Sequence, residues 1–375
     1  DDIAPIVERA CVSCHQPNDI GPFTLLDYAD VAHWGPMIRE TVESGRMPPW
    51  PASEPMGYFA NDKRLTSDEK RKLIAWIDGG CPEGRPTQPI KPAHPPTKDG
   101  WHIGQPDVEF VIGDRPFEVP ASGDIDYQFY TVDPKFTEDR WIQAAEFVPG
   151  NRAVVHHAAI TLAYPEEMNK PEFGFFGFAP GTSPLVLPPG HAVYIPAGSL
   201  LKFQIHYTPI GTPTSDRSKV GLKFIPGDPK LRLMVPFGAI ADTSMVIPAR
   251  SPNFDVWAVT MIDREFELWS IFPHMHLRGK SVMIEALMPD ASVKRLLTIP
   301  RWDFNWQLTY ELNEPIRFPK GTLMHMRAVF DNSSDNPANP DPNHDVRWGR
   351  MTNDEMWVIM LNGFEIKDES KVPQP

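Results

Sequence analysis

The stretch VVHHAAITL, residues 154–162, decides the fold: Val154 to Leu162 is a short apolar and β-branched run around a histidine pair, bounded by turn-forming residues. It lacks the three-to-four spacing of a helix face and reads as a largely buried strand. The same kind of run recurs on both sides, as VEFVI (108–112), WIQAAEF (141–147), LKFQIHY (201–207), VGLKFI (220–225) and LRLMV (231–235). It continues as ELWSIF (267–272), SVMIEAL (281–287), LMHMRAVF (323–330) and MWVIML (356–361). Short strands between turns, in a chain with 43 prolines and 25 glycines, predict all-β sandwiches. The residues from about 101 onward suffice for two of them.

Upstream the pattern changes. Ile3, Ile6, Val7, Ala10 and Cys11 fall on one helical face. Thr66 and Glu69 form a capping box ahead of Leu73, Trp76 and Ile77, and Gly79–Gly80 stop that helix. Residues 82–98, PEGRPTQPIKPAHPPTK, read as a stiff extended linker. The expected organisation is multidomain. A small all-α domain (1–81) and a Pro-rich linker (82–100) precede two all-β, jelly-roll-like sandwich domains (101–230 and 231–367) and a tail (368–375).

A net charge of −13 argues against a nucleic-acid partner, whose phosphates call for a basic surface. It fits a soluble surface. No apolar run reaches the ~18 residues of a bilayer span. The three cysteines, Cys11, Cys14 and Cys81, make no disulfide framework. The opening at Asp1 reads as that of a mature or trimmed chain.

Cys11-Val-Ser-Cys14-His15 is C-x-x-C-H. Two thiols at this spacing form thioethers to haem vinyl groups, and the following histidine supplies an axial nitrogen. A redox dithiol expects a βαβ context and a zinc site expects a second Cys/His pair, and neither accompanies the motif. In Gly45-Arg46-Met47-Pro48-Pro49-Trp50 the prolines bar a helix, so Met47 lies on a loop able to fold over a haem face. Met47 is the expected sixth ligand, with Met56 and His33 as alternatives. Cys81 reads as a buried thiol.

Five of the 12 histidines sit in compact motifs within expected strands: His156-His157, His206, and His274 with His276. On a strand i and i+2 share a face, so His274 and His276 can reach one metal. His156 and His157 could share a metal only across a bulge or twist. Imidazole with a thioether selects copper. Met356 is one candidate thioether among 15 methionines. His325, between Met324 and Met326, reads as a core residue.

The segment from about 100 to 367 resembles the copper type II, ascorbate-dependent monooxygenases, the family of peptidylglycine α-hydroxylating and dopamine β-monooxygenases. The matching stretches, in the family's order, are VVHHAAI, FAPGTSPLVLPPG (178–190), FQIHY, PHMHLRGK and TNDEMW. The first segment resembles small class I cytochromes c through CVSCH, GRMPPWP and LIAWIDGG. The first resemblance implies that His156, His157 and His206 bind an electron-transfer copper. It implies that His274, His276 and Met356 bind an oxygen-activating copper, with the two coppers in separate sandwiches across an open, water-filled cleft.

Two departures stand out. The animal members' disulfides are absent. The family's carboxylate-gripping Arg, Asn and Tyr are replaced by Phe272, Val358 and Met360. Unpaired burial of a carboxylate is costly, so peptidylglycine is a poor substrate expectation and a small neutral or apolar one is favoured.

The resulting expectation is a C–H-hydroxylating monooxygenase. It uses O₂, two copper ions and covalent haem c, with electrons entering from an external donor through the haem. The alternative is a non-catalytic haem/copper electron-transfer or copper-handling protein. Covalent haem and copper together imply the bacterial periplasm or cell exterior.

Overall fold

The computed structural model describes residues 2–17, 21–84, 100–170, 172–179, 182–228, 232–240 and 243–366, with backbone only for 235–240. Most of the expected linker, the boundary at 230 and the tail after 367 lie outside the described residues, as do Pro180 and Gly181. The chain forms two compact units, one of Asp1–Trp50 with Asn61–Gly104, the other of Pro51–Ala60 with Gln105–Pro375.

The first unit contains four helices, Ala4–Ala10, Tyr28–His33, Gly35–Glu43 and Ser67–Asp78, and no strand among its described residues. Helix Ala4–Ala10 buries Ile6, Val7 and Ala10, the face read from the sequence. Both arms of the Thr66/Glu69 capping box form, and Gly79 is the C-cap. Val7, Val12, Leu25, Val31, Ile38, Val42 and Leu73 make the core. Cys81 is buried, and its carbonyl accepts from the Tyr28 hydroxyl at 2.8 Å.

The second unit is β-sheet. Its first half packs a four-stranded sheet, in the order Gln128–Val132, Leu200–Tyr207, Val155–Ala163, Phe173–Phe178, against Val108–Val111, Lys219–Ile225, Arg140–Val148 and His191–Ile195. Its second half contains the sheet Phe254–Met261, Leu323–Phe330, Gly279–Leu287, Val293–Ile299. The strands Arg232–Ile240, Trp357–Glu365, Phe266–Met275 and Tyr310–Phe318 complete that half.

The two expected sandwiches share one sheet. Strand Arg232–Ile240 pairs in parallel with His191–Ile195 and antiparallel with Trp357–Glu365, so nine strands run through both halves. Met234 and Phe364, from the second half, lie in the core of the first.

Residues 51–60, expected inside the helical segment 1–81, belong to the β-unit. Phe59, 1% exposed, bridges to Leu312 and packs on Tyr310 at 5.2 Å. Backbone bonds Ser53 N to Thr298 O (2.9 Å) and Ala60 N to Glu311 O (2.8 Å) hold the strap in place. The aromatic in an otherwise Pro- and Gly-punctuated stretch accounts for the docking, because burying a whole phenyl ring offsets ordering a short segment.

Candidate metal centre

The histidine pair sits where the strand irregularity had to be. Val155 pairs with Tyr207 and His157 with His206, leaving His156 as the extra residue of a bulge. A bulge re-aims one side chain, so both imidazoles turn to the same side. Their Nδ1 atoms lie 3.0 Å apart. His206, across the ladder, brings a third ring: one nitrogen from each of His156, His157 and His206 lies within 4.8 Å of the others. His206 Nε2 meets Thr352 Oγ1 at 3.2 Å, while its buried Nδ1 has no partner. A buried imidazole nitrogen left unpaired beside two facing nitrogens costs free energy unless something binds there. This donor set fits a metal ion.

His274 is the last residue but one of strand Phe266–Met275 and His276 follows the strand, the two rings 5.1 Å apart. Each has its Nδ1 engaged, His274 with Gln307 Oε1 and His276 with the Asp354 carbonyl at 3.2 Å. Both acceptors call for Nδ1–H, which puts each ring's lone pair on Nε2, the arrangement by which outer partners orient metal-binding imidazoles. Met356 is buried and directly precedes Trp357, which pairs with Met275, so the ladder's register brings Met356 beside His276.

The two histidine groups are neighbours. The His157 and His274 rings are 5.8 Å apart. Phe304 stacks on His156 at 5.0 Å and meets the His276 ring edge-on at 6.2 Å. Tyr127 lies 4.8 Å from the His206 ring, with its hydroxyl 3.5 Å from His276 Nε2. The open, water-filled cleft implied by the resemblance is therefore not the arrangement here. Phe304 and Tyr127 flank both groups, and one continuous sheet joins the halves.

Burial, reinforced by neighbouring imidazoles, keeps the cluster neutral. It takes His156 down to about 4 and His206 to about 3. It takes His274 to about 4, partly offset by Gln307, and His276 to about 3. His157 lies well below its ordinary value for the same reasons. Neutral imidazole is the metal-binding form.

Several contributors carried no signal of spacing: Gln307, Phe304, Tyr127 and Glu355. Glu355 is fully buried, and its carboxylate accepts from His276 N (3.0 Å) and Arg278 N (2.6 Å), holding the turn after H-x-H. Burial pushes its carboxyl up to about 8, against hydrogen bonding and Arg278. Its place next to Met356 was the only available hint. His325 is not a core residue. It is half-buried, stacked on Trp257 at 4.8 Å with Nδ1 3.3 Å from Glu285.

In the helical unit, helix Ala4–Ala10 runs into the C-x-x-C-H turn, where Cys14 N and His15 N both donate to Cys11 O. Neither Cys11 nor Cys14 is in a disulfide. Burial, with Cys14 adding to it, pushes the Cys11 thiol up to about 12, opposite to the lowered thiol of a redox dithiol. His15 Nδ1 faces the Phe23 carbonyl at 3.1 Å. A Cβ on Gly21 would fall 2.7 Å from His15 Nδ1, so only glycine lets the chain pass there. These residues fit a covalent haem. Met47 is half-buried in the turn after helix Gly35–Glu43. Met56 lies in the strap of the other unit and is exposed, and the His33 ring is edge-on to Trp34.

No family model matches the sequence, and no curated protein matches it. Among solved structures it is similar to PNGF-II, at 9% identity over 68% of this chain and 65% of that one, TM-score 0.27. It is also similar to allantoicase, at 13% identity over 70% and 85%, TM-score 0.19. The A223 turret protein of Sulfolobus turreted icosahedral virus gives 8% identity over 68% and 98%, TM-score 0.17. Scores this low carry no argument about function. No helix among the described residues is long and apolar enough to cross a membrane.

Proposed function

We propose that this chain is a copper-dependent monooxygenase that hydroxylates a C–H bond of a small organic molecule with O₂ and carries its own c-type haem. The observation that supports it best is the convergence of five histidines as two donor sets. In one, a nitrogen from each of three rings lies within 4.8 Å of the others. In the other, Gln307 and the Asp354 carbonyl engage both Nδ1 atoms, which puts the lone pairs on Nε2.

His156, His157 and His206 would hold one copper, and His274, His276 and Met356 the other. Cys11, Cys14, His15 and Met47 would hold the haem. When bound, copper and haem supply the one-electron and O₂ chemistry that no side chain provides. The thioether of Met356 makes its site soft, which favours cuprous copper over zinc.

The chain's own residues do the rest. Gln307 and the Asp354 carbonyl keep the imidazole tautomers in place. Glu355 ties the backbone of His276 and Arg278. Phe304 and Tyr127 pack beside rings of both groups, an apolar setting that strengthens electrostatic interactions there. Covalent fusion keeps a one-electron carrier at high effective concentration, and covalent haem with copper favours a periplasmic or secreted location.

The test is metal analysis of the intact, reconstituted chain followed by product mass spectrometry under ¹⁸O₂. One haem, two coppers and one labelled oxygen per product are expected. Metal binding without oxygen incorporation would instead favour an electron-transfer or copper-handling protein.

A further inference from the structure

In the sheet Phe254–Met261, Leu323–Phe330, Gly279–Leu287, Val293–Ile299, side chains alternate between two faces. Met324, Met326, Val282, Ile284 and Ala286 are buried, and the residues between them face outward. The ladders align the outward residues in rows that cross all four strands. One row is Val259, His325, Glu285 and Arg295. The next, at the end of the sheet, is Met261, Leu323, Leu287 and Val293, with no polar side chain in it. Trp257, Val259, Met261 and Val293 are between 49% and 61% exposed, and Leu287 is exposed as well. Single exposed apolar residues are ordinary, but a contiguous apolar row marks a contact surface.

The charges on this face are neutralised within it. Arg295 and His325 lie 3.2 Å and 3.3 Å from the Glu285 carboxylate. Arg327 pairs with Asp255 and lies over the Trp257 ring at 5.2 Å. Two carboxylates thus meet two guanidiniums, in a chain whose net charge is −13. Like-charge repulsion between copies of an acidic chain is therefore relieved here. Four strands about 4.8 Å apart, with residues 255–261 at about 3.3 Å each, give a flat footprint of roughly 440 Å². Side-chain relief enlarges it, so two copies bury on the order of 1,000 Å², the size of a specific interface.

We infer that this face is the interface of a two-fold dimer, in which a second copy of the chain lies face to face on it with the symmetry axis running along the strands. Such an axis reverses the strand order and keeps each row in place. Met261 then faces the partner's Val293, Leu323 faces the partner's Leu287, and His325 faces the partner's Glu285. An axis across the strands would instead set Glu285 on the partner's Glu285 and Arg295 on the partner's Arg295, which like-charge repulsion disfavours. Face-to-face stacking of two sheets is an ordinary packing mode.

The experiment is analytical ultracentrifugation of the intact chain from about 1 µM to about 100 µM. The parent should dimerise in this range. Met261→Lys and Val293→Glu each place a charge against the partner's apolar row and should weaken the dimer at least about tenfold. Within one copy the two positions are three strand spacings apart, roughly 14 Å, so they cannot compensate each other there. The double variant should nevertheless associate at least about tenfold tighter than either single one, because each lysine meets the glutamate of the other copy. Both positions are exposed, and unchanged thermal midpoints check that the variants fold. A parent monomeric throughout, single variants that dimerise as the parent does, or a double variant no better than the singles overturns the assignment. A monomeric chain that co-sediments with phosphatidylcholine vesicles would give the face to lipid and also overturn it.

Discussion

Replacing Glu355 tests whether the turn after H-x-H is held by one buried carboxylate. The residue is fully buried, and its oxygens accept from two backbone N–H groups, His276 N at 3.0 Å and Arg278 N at 2.6 Å. In Glu355→Leu both donors lose their acceptor. Each buried, unsatisfied N–H costs about 1–3 kcal/mol, so the pair costs about 2–6 kcal/mol. Arg278 keeps its bonds to Asn332 Oδ1 and the Asn353 carbonyl. Against a total stability of about 5–15 kcal/mol, this is a large fraction. Glu355→Gln keeps one oxygen as acceptor and should cost about half as much. The assay is urea unfolding of the metal-free chain followed by tryptophan fluorescence, paired with copper titration against a chelator. Glu355→Gln should lower affinity at the His274/His276 site and leave the His156/His157/His206 site unaltered. If both variants stay within about 0.5 kcal/mol of the parent, or if the first-lost copper is that of His156, His157 and His206, the reasoning fails.

Three further outcomes are expected. Gln307→Leu removes the acceptor from His274 Nδ1 and should weaken one copper about 10–100-fold; competition with a chelator reads this, and equal weakening of both coppers would contradict it. The metal-free protein should lose stability in acid. With folded values below the ordinary 6.5, the imidazoles stabilise the fold fully above that pH, and the stability drains away as pH falls toward 4. His156 alone contributes about 3 kcal/mol, copper should shift the loss to lower pH, and a flat unfolding profile between pH 6.5 and 4 argues against a neutral cluster. Phe59→Ala, which empties a fully buried aromatic position under the strap, should destabilise the β-unit by about 3–5 kcal/mol, as measured by its thermal midpoint, while sparing the helical unit's transition.

Much of the site was legible because its chemistry is local in the chain. His156 and His157 are adjacent, His274 and His276 are two apart, and the need for a bulge at the pair follows from strand geometry alone. The pairing of Val155–Ala163 with Leu200–Tyr207 supplies that bulge, between Val155 and His157. The capping box at Thr66 was equally readable, since both of its partners lie within one helical turn. What could not be read were contacts closed over long separations. Gln307 reaches His274 from 33 residues away, Thr352 reaches His206 from 146, and Tyr127 reaches His276 from 149. No periodicity encodes such pairs, because they arise only once sheets stack.

The sequence by itself determined the strand-rich architecture, the helical first segment, the C-x-x-C-H spacing and which histidines could act in pairs. These follow from side-chain alternation, capping and ligand spacing, all properties of a few consecutive residues. Only the tertiary structure decided that nine strands run through both halves, that the strap 51–60 joins the β-unit, and that the two histidine groups meet at 5.8 Å across Phe304 and Tyr127. The physical reason is that strand order and sheet stacking are set by burial summed over the whole chain, which no local pattern records.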